Sequence, residues 1–402
     1  MYSTPVATAV AALVPLSEAE RLALLREAPL TSLAAAFAHV PDPRRRAGQR
    51  YSLPFLLICL VAALLCNCNS TQAVEEWCRA HPALLRRYVG PGRFLTPSGS
   101  LYRRLLPRLS VEHLEWALAG WLRATRPVDD REPIARGGKT IRGAGIAPQA
   151  APHLLTLYTH QTQEVLLQVR VDDKTNEIPL AQALLPAFCT PGRVVTADAL
   201  HTQTAFVATV RAHGGHVVLT VKGNQPTLFA DIATLFADPL TITQTAQTTD
   251  RHRGRREQRQ LRLSTELASF LHTHSPWRDI GQVGELTRTV TTVTTATRTT
   301  REVVYLLTTL SPCQACPRCL LRLVRHHWHI ENGLHSVRDG TFGEDRSRLR
   351  TGQAPQILAA CRNLALTLLR RTGVRAIATA RRVLAYQPEQ ALALLFPTPP
   401  AT

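Results

Sequence analysis

The hydrophobic periodicity of this chain changes at one place, the polar, proline-bounded stretch RPVDDREP at residues 126–133. Before it, from residue 16 to about residue 122, apolar residues recur at helical spacing. After it, strand-like runs such as HLLTLYTHQTQEVLLQVRV, RVVTADAL and GGHVVLTVKGNQ are separated by helical segments, an order typical of an α/β sheet. The pattern predicts an all-α N-terminal domain over residues 1–126 and an α/β domain over residues 133–372.

The part of the chain from about residue 238 to 312 is rich in Thr and Arg, with apolar residues at alternate positions. Alternation predicts strands, so we interpret this segment as a β-rich insertion in the α/β domain. Helices are expected to follow at residues 320–338 and 355–371. Residues 373–402 are expected to form a C-terminal tail with a weak helical signal and a Pro-rich end that frays.

The charge of the chain is strongly positive, with 47 Lys and Arg against 29 Asp and Glu, a net charge of +18. Such a surplus attracts polyanions, of which nucleic acid is the commonest and an anionic membrane surface the second. The longest apolar run, residues 53–66, suits a buried helix and is too short to cross a bilayer. We therefore expect a soluble protein that binds nucleic acid and has no membrane partner.

The nine cysteines are scattered, and no signal-peptide pattern opens the sequence, which indicates a reducing cytoplasm. Cys313, Cys316 and Cys319 follow one another at intervals of three. Thiolate metal sites usually need four ligands, and the nearest extra candidate is His326. A Cys-dependent metal-binding regulator is therefore a third class of function to keep open.

Two carboxylates occupy positions that suit catalysis. Asp198 closes the strand-like run RVVTADAL, and functional side chains of α/β sheets gather at the carboxyl ends of strands. Glu331 lies in RHHWHIENGLH, where helical spacing places His327 and His335 on the same side. The spacing does not match a zincin, in which the two histidines are four apart. Carboxylate ligands favour Mg²⁺, and two such acids typically share two Mg²⁺ ions with a third acid on the first strand of the sheet.

The first strand-like run after the linker, PIARGGKTIRGAG, contains a Gly-Gly-Lys-Thr that resembles the end of a phosphate-binding loop. A complete loop of that type needs a glycine five residues before Gly138, and that position is Pro133. A P-loop nucleotide site is therefore excluded for this stretch.

Seven blocks of the sequence, in order, resemble the DDE transposases of bacterial insertion sequences, specifically the type that includes the H-repeat-associated proteins. In the N-terminal region the blocks include DPRRRAGQRYSLPFLLICLVAALLCNCNSTQAVEEW and PSGSLYRRLLPRL. In the rest of the chain they are GGKTIRGA, KTNEIP, VVTADALHTQ, VLTVKGNQ and RHHWHIENGLHSVRDGTFGED.

The resemblance implies an RNase H-like mixed sheet with flanking helices, and an Asp-Asp-Glu triad on two divalent ions, Mg²⁺ or Mn²⁺. The second Asp corresponds to Asp198 and the Glu to Glu331. The first Asp belongs directly before Gly-Lys-Thr, where this sequence has Gly137. Asp129 and Asp130 do not replace it, because the seven residues from Asp130 to position 137 span up to about 24 Å when extended.

The neighbours of these positions are candidates for DNA contact. Lys139, Arg142, Lys222 and Asn224 flank strand ends and are expected to position phosphates. Arg325, His327 and Trp328 precede the Glu, and Trp328 is a candidate to stack on an unpaired base. Asn332 and His335 are expected to orient Glu331.

Two functions follow from the resemblance. The first is a transposase that binds the terminal repeats of its element and joins them to target DNA, impaired here because Gly137 removes one metal ligand. The second is a non-catalytic DNA-binding protein or repressor of the same ancestry. Both imply DNA as partner, a homo-oligomer that holds two ends together, and a bacterial cytoplasm with association to the nucleoid.

Overall fold

The structure is a computed structural model that describes residues 17, 20, 32–89, 96–125, 129–145, 150–171, 177–252, 254–293 and 297–396. The helical prediction for residues 16–31 and the Pro-rich end at residues 397–402 therefore lie almost entirely outside the described residues. Only Ser17 and Glu20 are described in the first of these stretches, and the backbone N–H of Glu20 donates to Oγ of Ser17 at 3.2 Å.

Every element described before residue 134 is helical. Four of these helices begin after a serine, because its side-chain oxygen accepts a hydrogen bond from a first-turn N–H that has no partner within the helix. Those serines are Ser32, Ser52, Ser70 and Ser98. The α-helices are α1 (Leu33–Ala38), α2 (Leu53–Leu65), α3 (Thr71–Ala80), α4 (Pro82–Val89), α5 (Gly99–Leu105) and α6 (Val111–Thr125).

Helix α2 forms the centre of this region. All of its residues except Pro54 are buried, and it packs against α1 and against helices near the C-terminus. The stretch 46–65 that contains it is the one part of the described chain that is long and apolar enough to cross a membrane. Because 67% of its most apolar 18-residue window is buried inside the protein, α2 serves as a core helix.

The described strands form one nine-stranded mixed sheet with the order β3-β2-β1-β4-β5-β9-β8-β7-β6. Strands β1, β4 and β5 run parallel to one another, and all other neighbours are antiparallel. The strands are β1 (Ile134–Thr140), β2 (His153–Thr159), β3 (Val165–Val171), β4 (Val194–Ala197), β5 (His216–Val221), β6 (Gln244–His252), β7 (Arg255–Ser264), β8 (Gln282–Val293) and β9 (Thr297–Thr308).

Helices cover both faces of this sheet. One face packs against α7 (Glu177–Phe188), α8 (Thr204–Ala212), α9 (Pro226–Ala237) and α10 (Glu266–His274). The other packs against α11 (Pro317–His327), a π-helical turn (Ile330–His335), α12 (Ser336–Gly340) and α13 (Ala354–Arg371). Helix α13 also packs on α2 and α6, so the N-terminal helices and this face of the sheet share one hydrophobic core.

Strands β6 to β9 lie within the range predicted to be β-rich. They are antiparallel, and β9 pairs with β5 from Val218–Thr308 to Val221–Tyr305, so they extend the sheet that β1 to β5 begin. Their outer halves carry Thr and Arg because both faces are open to solvent there, whereas Leu261, Leu263 and Leu306 are buried beneath α11.

The helix predicted over residues 320–338 is interrupted. Helix α11 ends at His327, and a π-helical turn follows before α12. Gly333 in this turn lets Arg370 of α13 approach, and Nη2 of Arg370 donates to the Gly333 carbonyl at 3.1 Å. The Gly333 carbonyl thus accepts a hydrogen bond from Arg370 within the π-helical turn, where the regular α-helical hydrogen bonds are interrupted.

The Pro-rich end expected to fray lies outside the described residues. Residues 377–395 of the predicted tail are helical. They form α14 (Ile377–Tyr386) and α15 (Pro388–Leu395), whose apolar side chains join the core around α2. Arg381 is fully buried in this interface and donates to the carbonyls of Leu64 and Thr341 and to Oδ1 of Asn69. Its guanidinium also lies 3.9 Å from the centre of the Phe342 ring. The sequence signal was weak because one arginine occupies the buried face of α14.

Replacing Arg381 by Ala is expected to lower the free energy of unfolding by about 3 kcal/mol, because buried carbonyls lose their donors and a cavity forms. Chemical denaturation of the full chain measures this. The matched control is Arg382→Ala on the exposed side of the same helix, which should change stability by about 0.5 kcal/mol or less. Equal effects of the two changes would contradict a structural role for α14.

Candidate active site

The pairing of β1 with β4 sets the position of residue 137. Ile134 lies opposite Val195 and Ala135 opposite Thr196 in this parallel pair. Continuing the register by two residues places Gly137 level with Asp198, which directly follows β4. Neighbouring strands are about 4.8 Å apart. The first-strand position and Asp198 are therefore adjacent at the carboxyl edge of the parallel strands.

Glu331 approaches the same edge from the π-helical turn. That turn contacts β1, and an ideal Cβ atom built on Gly137 lies 3.0 Å from Cδ1 of Ile330, the residue before Glu331. Single π-helical turns occur often at functional sites, where they re-aim a side chain. Gly137, Asp198 and Glu331 all line one cavity of about 1110 Å³, which we call the site cavity.

The two carboxylates differ in their partners. The Asp198 side chain is 62% exposed, with Oδ1 3.6 Å from Nε2 of buried His201. The Glu331 side chain is 49% exposed, with Oε1 3.1 Å from Nδ1 of His335. The hydrogen bond from His335 holds the pKa of Glu331 below its ordinary value. Burial lowers the pKa of His335, so a neutral imidazole donates this bond. The expected orienting contact of His335 on Glu331 is thus present.

His327 also lines the site cavity and interacts electrostatically with both acids. Its Nδ1 is 2.9 Å from Oγ1 of Thr196, and the same oxygen is 2.9 Å from Nε2 of His160. Burial lowers the pKa of His327 to about 4, although Asp198 and Glu331 both act to raise it. His327 is therefore neutral at physiological pH and is fixed by a hydroxyl. It does not stand free as a phosphate-binding cation.

Basic side chains dominate the lining of the site cavity. Its carboxylates are Asp198, Glu302 and Glu331. Its Lys and Arg residues are Arg136, Lys222, Arg259, Arg288, Arg318, Arg322 and Arg325. Seven cations against three anions make the cavity attractive to a polyanion.

The predicted DNA contacts differ in how available they are. Lys222 is exposed at the cavity, and Trp328 is 55% exposed beside it. Arg142 is exposed in a 3-10 turn after β1. Asn332, the residue expected to orient Glu331, is exposed and lines the cavity. These four side chains lie where a ligand can reach them.

Three of the predicted DNA contacts are held by the protein itself. Lys139 is nearly buried, and Nζ donates to both carboxylate oxygens of Asp339 at 2.8 and 2.7 Å. Arg325 pairs with Asp250 of β6 at 2.9 Å. Asn224 donates to the Ala199 carbonyl at 2.6 Å and so fixes the turn that follows Asp198.

Three further acids, Asp339, Glu344 and Asp345, support the elements that form the site. Asp339 holds Lys139, and Glu344 is fully buried against Arg338 and Arg362. Oδ1 of Asp345 accepts from the Gly143 N–H at 3.3 Å. A Cβ atom at residue 143 would lie 2.0 Å from the Asp345 carbonyl oxygen. Glycine is therefore required at position 143, because the backbone of GGKTIRGA approaches the backbone of TFGED closely there. The spacing of residues in the sequence did not reveal this contact.

The oxygen ligands at the site cavity match a divalent metal ion only in part. Asp198 and Glu331 offer oxygen ligands, and position 137 offers none. Within the described residues no three His, Cys, Asp or Glu side chains are grouped so as to hold a metal. The residues thus fit a divalent ion in ligand type but lack the third carboxylate that would complete the set. At the other candidate, Sγ of Cys316 and Sγ of Cys319 are 2.9 Å apart, and Cys313 is exposed.

Comparison with known proteins gives consistent matches. The family model described as Transposase DDE domain matches residues 122–368, and the model described as DDE_Tnp_1-associated matches residues 34–122. The chain is similar to "Putative transposase YncI" of Escherichia coli O157:H7, 25% identical over 348 residues that cover 85% of this chain and 88% of the relative. It is also similar to "H repeat-associated putative transposase YhhI" of Escherichia coli K12, 22% identical over 338 residues, 82% of this chain and 88% of the relative.

A shorter match is to "Uncharacterized protein in dhlA 3'region" of Xanthobacter autotrophicus, 32% identical over 200 residues, 49% of this chain and 67% of the relative. Among solved structures, the piggyBac transposase synaptic complex with hairpin DNA matches with a TM-score of 0.42 and 10% identity. That match covers 95% of this chain and 82% of the other.

The histidines around Thr196 are expected to make the protein acid-sensitive. Burial lowers the pKa of His160 from 6.5 to about 2 and those of His326 and His327 to about 4. A lowered folded-state pKa contributes stability that is present above the unfolded value and is lost as the pH falls. The free energy of unfolding should therefore decrease from about pH 6.5 towards pH 4. Denaturant titrations at several pH values measure the slope.

The variant His160→Gln removes one of these groups while keeping a donor for Thr196, and it should reduce the slope. Exposed His274 provides the control, because His274→Gln should leave the slope unchanged. If the free energy of unfolding depended on pH equally in the unmodified chain and both variants, His160 would not be a source of the acid sensitivity.

Proposed function

We propose a function from one premise, that the chain belongs to the family described as Transposase DDE domain. The proposed function is that of an insertion-sequence transposase, which binds the ends of its element and cleaves and joins DNA strands with divalent metal ions. This copy is proposed to be impaired at the chemical step. The observation that carries the proposal is the convergence of residues 137, 198 and 331, from two strands and a distant helical turn, on one basic cavity.

The strand arrangement supports the proposed RNase H-like domain. The order β3-β2-β1-β4-β5 joins an antiparallel meander to two parallel strands, and β6 to β9 are then an insertion between β5 and α11. The helices before residue 126 are proposed as the all-α N-terminal domain, although they share a core with α13, α14 and α15. A domain boundary near residue 126 would therefore divide the chain by function, while both parts would still share one hydrophobic core.

Asp198 and Glu331 are the residues proposed to hold the metal. In this chemistry, divalent ions activate the attacking water or 3′-hydroxyl and stabilise the leaving oxygen. The side chains of this protein contribute orientation and charge. His335 fixes the Glu331 carboxylate, and neutral His327 adds no charge to the lining of the site cavity. Lys222 and Trp328 are proposed to bind a phosphate and a base of the DNA.

Gly137 explains the proposed impairment. Mg²⁺ is captured largely by carboxylate charge, and position 137 supplies none. Asp129 and Asp130 do not compensate, since they lie before the start of β1, where Nη2 of Arg193 donates to the Asp129 carbonyl at 2.8 Å and lies 3.9 Å from Oδ1 of Asp130.

Gly137→Asp is expected to raise Mg²⁺-dependent strand cleavage by on the order of 10³-fold, because metal stabilisation contributes several kcal/mol to such transition states. Nicking of labelled DNA that carries the element ends measures it. The new Cβ atom would meet Cδ1 of Ile330 at 3.0 Å, so Gly137→Asp with Ile330→Val provides the extra space.

Gly137→Asn is the matched control, since it has the same size without the charge and should restore nothing. Adding Asp198→Asn to Gly137→Asp should remove the gain. Measurable cleavage that proceeds at the same rate in the unmodified chain and the Gly137→Asp variant would show that residue 137 is not the missing ligand position.

The second candidate, a non-catalytic DNA-binding protein or repressor, is favoured by the same observation, since the cavity keeps its basic lining while one ligand is absent. The Gly137→Asp variant distinguishes the two candidates. If the protein is a non-catalytic DNA-binding protein, this variant binds DNA and cleaves no strand. Both candidates involve DNA and are proposed to act as a homo-oligomer, because two DNA ends have to be held together.

DNA binding is expected to weaken linearly on a log–log plot against salt concentration, because phosphate contacts release counterions. Lys222→Ala should reduce the slope of that plot by about 1, the value for one phosphate contact. Arg382→Ala is the control, since Arg382 is an exposed cation outside the lining of the site cavity. Fluorescence anisotropy over a range of salt concentrations gives both slopes. A slope that Lys222→Ala leaves unchanged would remove Lys222 from the interface.

A further inference from the structure

The start of helix α11 carries a pair of thiols that the proposed function does not use. Cys316 is the N-cap residue of α11, and its Sγ accepts a hydrogen bond from the Cys319 N–H at 3.4 Å. Because this hydrogen bond closes the first turn of α11, the side chains of Cys316 and Cys319 lie next to each other. Their sulfur atoms are 2.9 Å apart.

We propose that Cys316 and Cys319 form a redox-active dithiol that closes to an intramolecular disulfide by exchange with a low-molecular-weight disulfide. A disulfide has sulfur atoms about 2.05 Å apart. The pair therefore needs a movement of about 1 Å, which side-chain rotation supplies without unwinding the helix. This proposal is independent of the function at the site cavity.

The two thiols differ in a way that fits attack followed by resolution. Cys316 is exposed, whereas Cys319 is partly buried against the core between α11 and the sheet. Hydrogen bonding between the thiols lowers the pKa of Cys316 and raises that of Cys319. The exposed residue is thus the better nucleophile and the first to react.

The exchange is balanced in two steps. The Cys316 thiolate attacks one sulfur of the small disulfide, which forms a mixed disulfide and releases one small thiolate. The Cys319 sulfur then attacks Sγ of Cys316 and releases the second small thiolate, so that two protein thiols are oxidised and one small disulfide is reduced to two thiols. The protons of the protein thiols pass to the released thiolates.

Five of the other cysteines are protected from this chemistry. Cys59, Cys66, Cys78, Cys189 and Cys361 are buried. Burial raises the pKa of Cys66 and Cys361 to about 12 and that of partly exposed Cys68 to about 11. Cys313 is exposed and three residues before Cys316, which makes it the competing partner that a test has to exclude.

Trypsin digestion and alkylation together separate the three possible pairings of Cys313, Cys316 and Cys319. Cleavage after Arg301, Arg318 and Arg322 leaves Cys313 and Cys316 in one peptide, residues 302–318, and Cys319 in another, residues 319–322. The folded full chain is incubated with glutathione disulfide and reduced glutathione, alkylated and digested. Mass spectrometry should find peptides 302–318 and 319–322 linked to each other, with Cys313 alkylated.

Three variants complete the test. Cys313→Ser should keep the linked peptides, Cys316→Ser should abolish them, and Cys319→Ser should leave glutathione trapped on Cys316. A disulfide within peptide 302–318, glutathione that stays on Cys316 in the unmodified chain, or a stoichiometric metal ion held by these cysteines in the purified protein would each overturn the proposal.

Discussion

The buried ion pair between Arg338 and Glu344 is the interaction on which the rest of the site depends. Both side chains have no exposure, and Nη2 of Arg338 lies 2.8 Å from Oε2 of Glu344. Burial opposes ionisation of Glu344, but Arg338 and Arg362 outweigh it and hold the pKa of that carboxyl below its ordinary value. Removing one partner from such a pair is strongly destabilising, because the other charge is left buried without compensation.

The same arginine connects elements that are far apart in the chain. Nη1 of Arg338 donates to Gln168 of β3 at 2.6 Å, and Gln168 donates to Glu115 of α6 at 3.2 Å. Burial raises the pKa of Glu115 to about 8, so a neutral acid ends this network. Helix α12, which carries Arg338, directly follows the turn that carries Glu331. The N-terminal helices therefore help to fix the position of Glu331, which explains why they share a core with the sheet.

Around this ion pair, the side chains of the site are held in place by other protein groups before any ligand binds. The hydrogen bond from His335 and the lysine at position 139, paired to Asp339, fix the surroundings of Glu331 before any ligand binds. The side chains left exposed, Lys222 and Trp328 among them, lie on the open side of the cavity. Glycine at residue 137 leaves this framework intact, since Ile330 occupies the space that a side chain there would need. Loss of one acid is thus compatible with a well-packed protein.

The sequence by itself determined the order of helices and strands, the family, and Asp198 and Glu331 as candidate acids, because these depend on local periodicity and on residues adjacent in the chain. It did not determine that residues 377–395 pack as helices, because one buried arginine masks their apolar face. It also did not reveal the π-helical turn, the pairing of Lys139 with Asp339, or the contact of Gly143 with Asp345. Only the tertiary structure decided these features, because each depends on contacts between segments that lie far apart in the chain, up to about 200 residues. Local sequence patterns contain no information about such contacts.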